Sequence, residues 1–239
     1  MSENSKSAAL VLGVFLFSGL TMLGYQLGNS AIKFKEYERT VTVKGLSERE
    51  YDADIVIWPI QFTETGNNLE ELYGSIEGST GKITEYLEKN AINQEEISFT
   101  APSITDKSAQ QYGSQAKPEF RYAAVQTVTV YSKNIEQVRS VMGKLSELGK
   151  QGIVFTGGNY QSQTEYLFTR LNEVKPEMIE EATRKAREVA EKFASDSKST
   201  LGKIRTASQG QFSINPRDTN NPHIKKVRVV STVAYYLSD

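Results

Sequence analysis

The sequence predicts an α+β fold, in which largely antiparallel β-sheets carry three amphipathic helices on one face, preceded by an N-terminal transmembrane helix. Segments in which polar and apolar residues alternate are interspersed with three segments of helical spacing. Three helices are too few to cover both faces of a doubly wound parallel sheet, which favours antiparallel pairing. The N-terminal residues 7–32 contain no charged side chain, as expected for a helix in lipid.

The uncharged window includes an apolar run of residues 8–27, which begins at Ala8 and ends at Leu27. At about 1.5 Å per residue, this run forms a helix roughly 30 Å long, the thickness of a bilayer's hydrocarbon core. A secretory signal peptide is the alternative. However, the run is longer than a usual signal core and lacks the alanine pattern of a cleavage site before Ala31. We therefore predict that the chain binds the membrane through Ala8–Leu27.

The chain divides into an anchor or signal segment at residues 1–32 and a body at residues 33–239. The body is long enough for one large domain or two small ones. Its orientation is ambiguous, because the cations that follow the apolar run outnumber the single Lys6 before it and place the body in the cytoplasm. A lone hydrophobic segment before a large domain is, conversely, typical of export, and long domains translocate largely regardless of charge.

The composition excludes several classes of function. Acidic and basic side chains are interspersed and sum to a net charge of -1, so no basic stripe indicates nucleic acid as a partner. The chain contains no cysteine, which excludes disulfides, thiolate metal sites and a cysteine nucleophile. Its single histidine, His223, leaves little room for histidine chemistry.

Two predicted strands open the body, at residues 39–46 and 53–62. Pro59 has no N–H to donate, so we expect the second strand to lie at a sheet edge or to be bulged there. The first helix then begins after Asn67 or Asn68 and ends near Asn90. Its apolar positions follow helical spacing: Leu69, Leu72, Tyr73, Ile76, Ile83 and Leu87.

A strand is predicted over residues 96–104, followed by a polar, mobile loop over residues 105–118. Residues 119–132 form the clearest long strand, because five apolar side chains share one face: Phe120, Tyr122, Ala124, Val128 and Val130. Asn134 caps the second helix, which Gly149 ends. The apolar stripe of this helix is Ile135, Val138, Met142, Leu145 and Leu148. Another strand is predicted over residues 153–168, interrupted at Gly157 and Gly158.

The third helix has the strongest pattern. Pro176 suits its first turn. Its predicted buried face comprises Met178, Ile179, Ala182, Ala186, Val189, Ala190 and Phe193. The alanines on this face predict close packing against a sheet. The exposed face carries predicted ion pairs at i,i+4 spacing: Glu180 with Arg184, Glu181 with Lys185, and Glu188 with Lys192.

A terminal hairpin of residues 201–214 and 225–237 completes the chain, with a loop rich in proline and asparagine. The last strand alternates, with five side chains predicted to face inward: Val227, Val229, Val233, Tyr235 and Leu237. The sequence leaves open whether these strands form one sheet or two.

No constellation of residues reaches the level of a catalytic hypothesis. GSTGKI at residues 78–83 lacks the glycine and hydroxyl positions of a phosphate-binding loop and lies inside a helical pattern. The histidine is predicted to be solvated in its polar loop, and Asp52 and Asp54 are interpreted as turn residues. Aromatic packing explains Trp58, Tyr235 and Tyr236, and Lys225, Lys226 and Arg228 are interpreted as a solvated strand edge. We therefore predict no catalytic, cofactor-binding or metal-binding residue, and no enzyme.

Five segments in order resemble the SIMPL domain family: TVTVKGLSERE, LEKNAINQEEIS, RYAAVQTVTV, ATRKAREVAEKFASDSKSTLGKI and KKVRVVSTVAYYL. They extend over residues 40–237, and the alanine-rich helix followed by LGK is the most specific. The family usually has Pro-Asp near the start of its second strand, where this chain has Tyr51, Asp52, Ala53 and Asp54. The resemblance implies a bacterial periplasmic, secreted or membrane-anchored protein.

Some members of this family are linked to envelope or oxidative stress, others assemble into ring-like oligomers, and an animal relative binds a signalling kinase. No catalytic residues are established for the family. We therefore expect a membrane-anchored, extracytoplasmic, non-enzymatic protein that forms a homo-oligomer or binds envelope partners. The alternative is an enzyme or a small-ligand binding protein of the envelope, with a site that one sequence does not reveal.

Overall fold

The computed structural model describes residues 3–36, 39–109, 119–156 and 163–238. The helices are α1 (Glu3–Glu36), α2 (Leu69–Lys89), α3 (Ile135–Met142), α4 (Ser146–Gly149) and α5 (Leu171–Asp196), with a 3-10 turn at Gln94–Glu96. The strands are β1 (Thr40–Asp52), β2 (Ile55–Gly66), β3 (Ile97–Phe99), β4 (Ser103–Asp106), β5 (Tyr122–Ser132), β6 (Val154–Phe155), β7 (Glu165–Leu167), β8 (Thr200–Gln209), β9 (Ser213–Pro216) and β10 (Ile224–Ser238).

The strands form two sheets, which confirms the predicted α+β class. One sheet has the order β1-β10-β8, with β9 also paired to β10. The other has the order β3-β5-β2-β6, with β4 paired to β5 and β7 paired to β2. Strand β2 pairs antiparallel with β5 in one unbroken register from Val56↔Ser132 to Gly66↔Tyr122. The tertiary structure thus answers the question of sheet number that the sequence left open.

The chain forms two compact units. Unit 1 comprises Met1–Glu48, Lys175–Ser213 and Arg228–Asp239, and unit 2 comprises Arg49–Val174 and Ile214–Val227. Since β1, β9, β10 and α5 cross these limits, each of these four elements contributes residues to both units. The core of each unit is described separately below.

Unit 1 is built around the small-residue face of α5. Ala182, Ala186 and Ala190 are each fully buried. The core cluster that includes two of them comprises Val43, Ala186, Ala190, Val233 and Tyr235. A Cβ added to Gly45 of β1 would overlap the backbone carbonyl oxygen of Ala182 and the backbone nitrogen of Ala186. The predicted close packing of this helix against a sheet is therefore confirmed.

The N-terminal helix α1 contains a segment, Leu10–Ser30, with a mean hydropathy of 1.7 and no burial. This segment is long and apolar enough to cross a membrane, and it overlaps the predicted run at residues 8–27. The hydroxyl of Thr21 donates to the carbonyl oxygen of Phe17 at 2.7 Å, which satisfies a polar group that lipid would otherwise leave unpaired.

Unit 2 has a core of large side chains that α2 and the strands β2 and β5 share. Leu72, Ile76, Ile83 and Leu87 of α2 are all at most 3% exposed. They belong to one cluster with Trp58 and other residues of the sheet. Both predicted N-caps are confirmed, because Asn68 accepts from Glu70 N–H at 2.8 Å and Asn134 accepts from Gln137 N–H at 3.2 Å.

Several local predictions are wrong. The segment predicted as one strand at residues 96–104 is divided into β3 and β4, whereas the interrupted strand predicted at residues 153–168 corresponds to β6 and β7. The second helix is likewise divided into α3 and α4 at Gly143. Residues 110–118 of the predicted mobile loop, with Gly157 and Gly158, lie outside the described residues.

The interpretation of Pro59 is wrong in both of its forms. Strand β2 lies inside its sheet, and its pairing with β5 shows no bulge at Pro59↔Thr129. On the opposite side, β7 pairs with residues 55–57 and β6 with residues 62–63. Among the described residues, no strand is registered against Pro59 on that side. The missing N–H is tolerated because the ladder is interrupted there.

Two predictions about α5 are also wrong. The helix begins at Leu171, so Pro176 lies inside it rather than in its first turn. Val189 and Phe193, predicted to be buried, are 41% and 57% exposed, because the alanine stripe makes the close contact alone. Of the predicted ion pairs, Lys185 with Glu181 is confirmed at 2.7 Å, whereas Arg184 pairs with Glu188 at 3.9 Å.

Candidate functional site

The free edge of β8 in unit 1 is one candidate interaction surface. Strand β8 is the last strand in the order β1-β10-β8, and among the described residues no strand pairs with its outer side. Apart from the half-buried Leu201, every residue of β8 is exposed. An edge strand with both faces open is a template for pairing with another chain unless charge, proline or bulges protect it.

The two halves of β8 differ in this protection. Its first half carries Lys203 and Arg205, and the pairing with β10 shifts register at Tyr235. Its second half, residues 206–209, pairs with β10 in regular register from Ala234↔Thr206 to Ser231↔Gln209. These four residues, TASQ, are uncharged and contain no proline. We call them the TASQ edge.

The backbone of the TASQ edge is oriented for pairing. Gly210 N–H donates to the carbonyl oxygen of Val230 at 2.8 Å, which places this pair in the hydrogen-bonded set of the antiparallel ladder. Because the set alternates along the strand, the N–H and C=O groups of Ala207 and Gln209 point away from β10. These are the groups that an added strand would use.

Unit 2 contains a cleft of about 310 Å³ at the start of α3, which we call the α3 cleft. Its lining combines charges of both signs with one imidazole: Asp52, Ala53, Lys133, Asn134, Ile135, Glu136, Arg139 and His223. In the part of the chain that the structure describes, the Arg139 guanidinium has no carboxylate within ion-pair distance. The guanidinium forms a hydrogen bond with His223 instead.

The contact between Arg139 and His223 fixes the state of the imidazole. Arg139 Nη1 and His223 Nε2 are 3.1 Å apart. A guanidinium has only donors, so Nε2 must accept, and the ring is neutral with its proton on Nδ1. Nδ1 is buried and has no partner among the described residues. Burial, followed by the charge of Arg139, lowers the pKa of His223 below its ordinary value, which agrees with a neutral ring.

The structure separates the two aspartates near the β1–β2 turn. Asp54 accepts hydrogen bonds from Thr169 N–H at 2.9 Å and from Arg170 Nε at 3.4 Å, so its carboxylate holds the turn before α5. Asp52 lines the α3 cleft instead. The interpretation of both residues as turn residues describes Asp54 well but missed the position of Asp52.

Two more predictions are wrong, namely that His223 is solvated in its loop and that Lys225 belongs to a solvated strand edge. His223 packs edge-on against Tyr166, with ring centroids 6.0 Å apart. Lys225 is only 8% exposed, because the two-residue period of β10 places it on the same face as Val227 and Val229. Burial lowers the pKa of Lys225, opposed by the nearby Glu165.

The remaining predicted residues are structural. Trp58 and Tyr235 are 5% and 2% exposed, as expected for sheet packing, and GSTGKI lies within α2, as predicted. Over the described ranges, no group of three or more His, Asp or Glu side chains is arranged to hold a metal ion. Sequence reasoning missed Arg139 entirely. It is 84 residues from His223, and no local motif indicates that the two side chains meet.

A comparison with protein families is informative. The family model described as SIMPL, a protein of unknown function (DUF541), matches residues 41–233. The match confirms the resemblance that the sequence segments indicate, and it covers all of unit 2 and the part of unit 1 that lies within residues 41–233. A search among curated proteins found no match.

Proposed function

The chain belongs to the SIMPL family, and from this premise we propose that it is a membrane-anchored, extracytoplasmic, non-enzymatic module that self-associates through the TASQ edge. The observation that carries the proposal is the exposure of β8 on both faces and along its outer side. Natural proteins usually protect such an edge. Here protection is present only in the first half of the strand.

A second copy of the same edge is the occupant that best fits the TASQ edge. Antiparallel pairing centred on Ser208 is self-complementary, because it places Ala207 of each copy opposite Gln209 of the other, and it creates an isologous contact. In this register, Arg205 lies opposite Gln211 of the second copy, and Lys203 lies opposite its Ser213. No like charges face each other directly, so the cations that protect the first half of β8 do not oppose the contact.

The membrane part of the proposal is supported by α1. Its segment Leu10–Ser30 packs against nothing in the described structure and is long enough to span a bilayer. An apolar helix that no protein core covers requires lipid or a partner. Two copies held in one membrane are confined to a thin layer, which raises their effective concentration and favours a weak edge contact.

Self-association is tested by analytical ultracentrifugation of the full chain in mild detergent, across a range of concentrations. We expect a concentration-dependent oligomer that Ser208→Lys weakens, because a charge beside the pairing groups blocks strand addition. Ser103→Lys, which makes the same change on the exposed face of β4 in unit 2, is the control. A monomer at every concentration, or equal effects of the two variants, would contradict the proposal.

Anchoring and orientation are tested separately. Intact-mass measurement of the membrane fraction should give the uncleaved chain, and a mature N-terminus near Ala31 would show a signal peptide instead. Protease added to intact spheroplasts should digest the body if it is extracytoplasmic. Full protection of the body would place it in the cytoplasm.

The non-enzymatic part of the proposal rests on the α3 cleft. Its Arg139 and His223 contact each other rather than a nucleophile, and the Asp54 carboxylate near it is occupied by Thr169 and Arg170. A broad hydrolase screen checks this part. Turnover that is abolished by a single substitution of Asp52 would favour the enzyme alternative.

A further inference from the structure

His223 lies where several segments of unit 2 meet. Its backbone carbonyl oxygen accepts from Ala53 N–H, in the β1–β2 turn, at 2.8 Å. Its ring contacts Tyr166 of β7 edge-on, and its Nε2 accepts from Arg139 on α3. One residue therefore connects α3, on one side of the α3 cleft, to the β1–β2 turn on the other.

The connection to α3 exists only while the imidazole is neutral. Arg139 can donate but not accept, so its hydrogen bond needs the lone pair of Nε2. Protonation converts Nε2 into a donor and places a second positive charge against the guanidinium. The hydrogen bond cannot survive this change, and the two cations repel each other.

The other charged groups around His223 come from each neighbouring segment. The end of β1 contributes Asp52, and the loop before β10 contributes Arg217 and Asp218. Arg217 hydrogen-bonds Asp218 and lowers the pKa of that carboxyl to about 2, so this pair stays ionised while a histidine titrates. Lys133 and Glu136 also line the cleft, and Tyr166 contacts the ring. Of the charged groups that the structure describes, Arg139 is the one that hydrogen-bonds the imidazole.

We propose that the His223–Arg139 contact is a proton-operated latch, which holds α3 to the β1–β2 turn while the imidazole is neutral and releases α3 when it is protonated. The latch opens the α3 cleft in mild acid and closes it again at neutral pH. It gives unit 2 a response to the acidity of its surroundings without any ligand.

The direction of the response follows from proton linkage. The pKa of His223 in the folded chain is lowered from 6.5, first by burial and then by Arg139. The unfolded chain therefore binds the proton more tightly, and protonation destabilises the latched state. The contribution of the latch is complete above the unfolded value and is lost as the pH falls through the folded pKa.

The single histidine makes the test direct. NMR of the full chain in detergent, labelled at the histidine ring, gives one imidazole signal whose titration reports His223 alone. Hydrogen exchange of Ala53 and of the α3 amides is measured in parallel between about pH 8 and about pH 5, the range across which histidine titrates. Amide exchange itself depends on pH, so each exchange rate is divided by the rate of the same amide in the unfolded chain at the same pH. We expect exchange of both segments to rise several-fold together with protonation of the ring.

Two variants isolate the contact. In His223→Gln, the amide oxygen can accept from Arg139 at every pH, so the acid-induced rise in exchange should disappear. Arg139→Met removes both the cation and the hydrogen-bond donors, so the pKa of His223 should rise and both segments should exchange rapidly even at about pH 8. Lys133→Gln removes a cation that lines the cleft without touching the ring, and should behave like the wild type.

Three results would overturn the latch. The first is an imidazole in the wild type that titrates at or above its ordinary value. The second is protonation of the ring with no change in exchange of Ala53 or α3. The third is an acid-induced rise in exchange that persists in His223→Gln, since it would have to come from another group.

Discussion

In each unit a helix packs on a sheet, but the residues at the contact are small in unit 1 and large in unit 2. In unit 1, α5 meets β1 through Ala182, Ala186 and Gly45, at a distance that leaves no space for one further methyl group. In unit 2, α2 meets β2 and β5 through leucine, isoleucine and tyrosine side chains. A contact between backbones has no flexible part that can move, whereas a contact between long side chains can repack. Unit 1 should therefore be sensitive to added atoms, and unit 2 to removed ones.

The largest expected effect is that of Gly45→Ala in unit 1. The new Cβ would overlap backbone atoms of Ala182 and Ala186, which can only move if the whole helix moves. We expect a loss of about 4 kcal/mol or more in the free energy of unfolding, at the extreme of single substitutions. Urea unfolding of the full chain in mild detergent, followed by far-UV circular dichroism, measures it.

Gly78→Ala is the control for this prediction. Gly78 lies in the middle of α2, and nothing lies within 4 Å of a Cβ added there. Because glycine disfavours a helix interior, this change should stabilise the protein by about 0.5–1 kcal/mol. A loss of similar size in both variants would mean that close packing at Gly45 is not the cause.

The second prediction concerns removal of atoms from unit 2. Leu72 on α2 is 1% exposed, so Leu72→Ala leaves a cavity and should cost about 2–5 kcal/mol. Leu69→Ala, one turn earlier on the same helix, deletes the same atoms from a side chain that is 42% exposed and should cost far less. Fluorescence of Trp58, the sole tryptophan and part of the unit 2 core, follows the urea unfolding.

The third prediction returns to added atoms in unit 1. Ala186 is fully buried in the middle of the alanine stripe, and Ala186→Leu should cost about 1–3 kcal/mol through overpacking. Arg184→Ala on the exposed face removes an ion pair with Glu188 and should cost a few tenths of a kcal/mol. Equal urea midpoints for the two variants would show that the buried face of α5 is misassigned. If Ala186→Leu leaves the stability unchanged while Gly45→Ala destabilises the protein severely, the tight contact is confined to the position of Gly45.

Much of the fold could be predicted from local patterns. Helical spacing located α2 and α5, the caps Asn68 and Asn134 marked helix starts, and the two-residue period of β10 placed Val227 and Val229 inside. Two of the predictions that are wrong share one cause. Pro59 and Phe193 were interpreted from their own chemistry, whereas their environments depend on which strands and helices lie beside them.

The sequence by itself determined the apolar N-terminal helix, the α+β class, the alternation of β10 and the family. The first three follow from residues close together in the chain, where periodicity and composition act directly, and the family follows from five such local segments in order. Only the tertiary structure decided that the strands form two sheets, that β8 is left as an edge, and that Arg139 meets His223. These depend on pairing between distant segments, and a strand's pattern of buried faces is the same whichever neighbour supplies its hydrogen bonds.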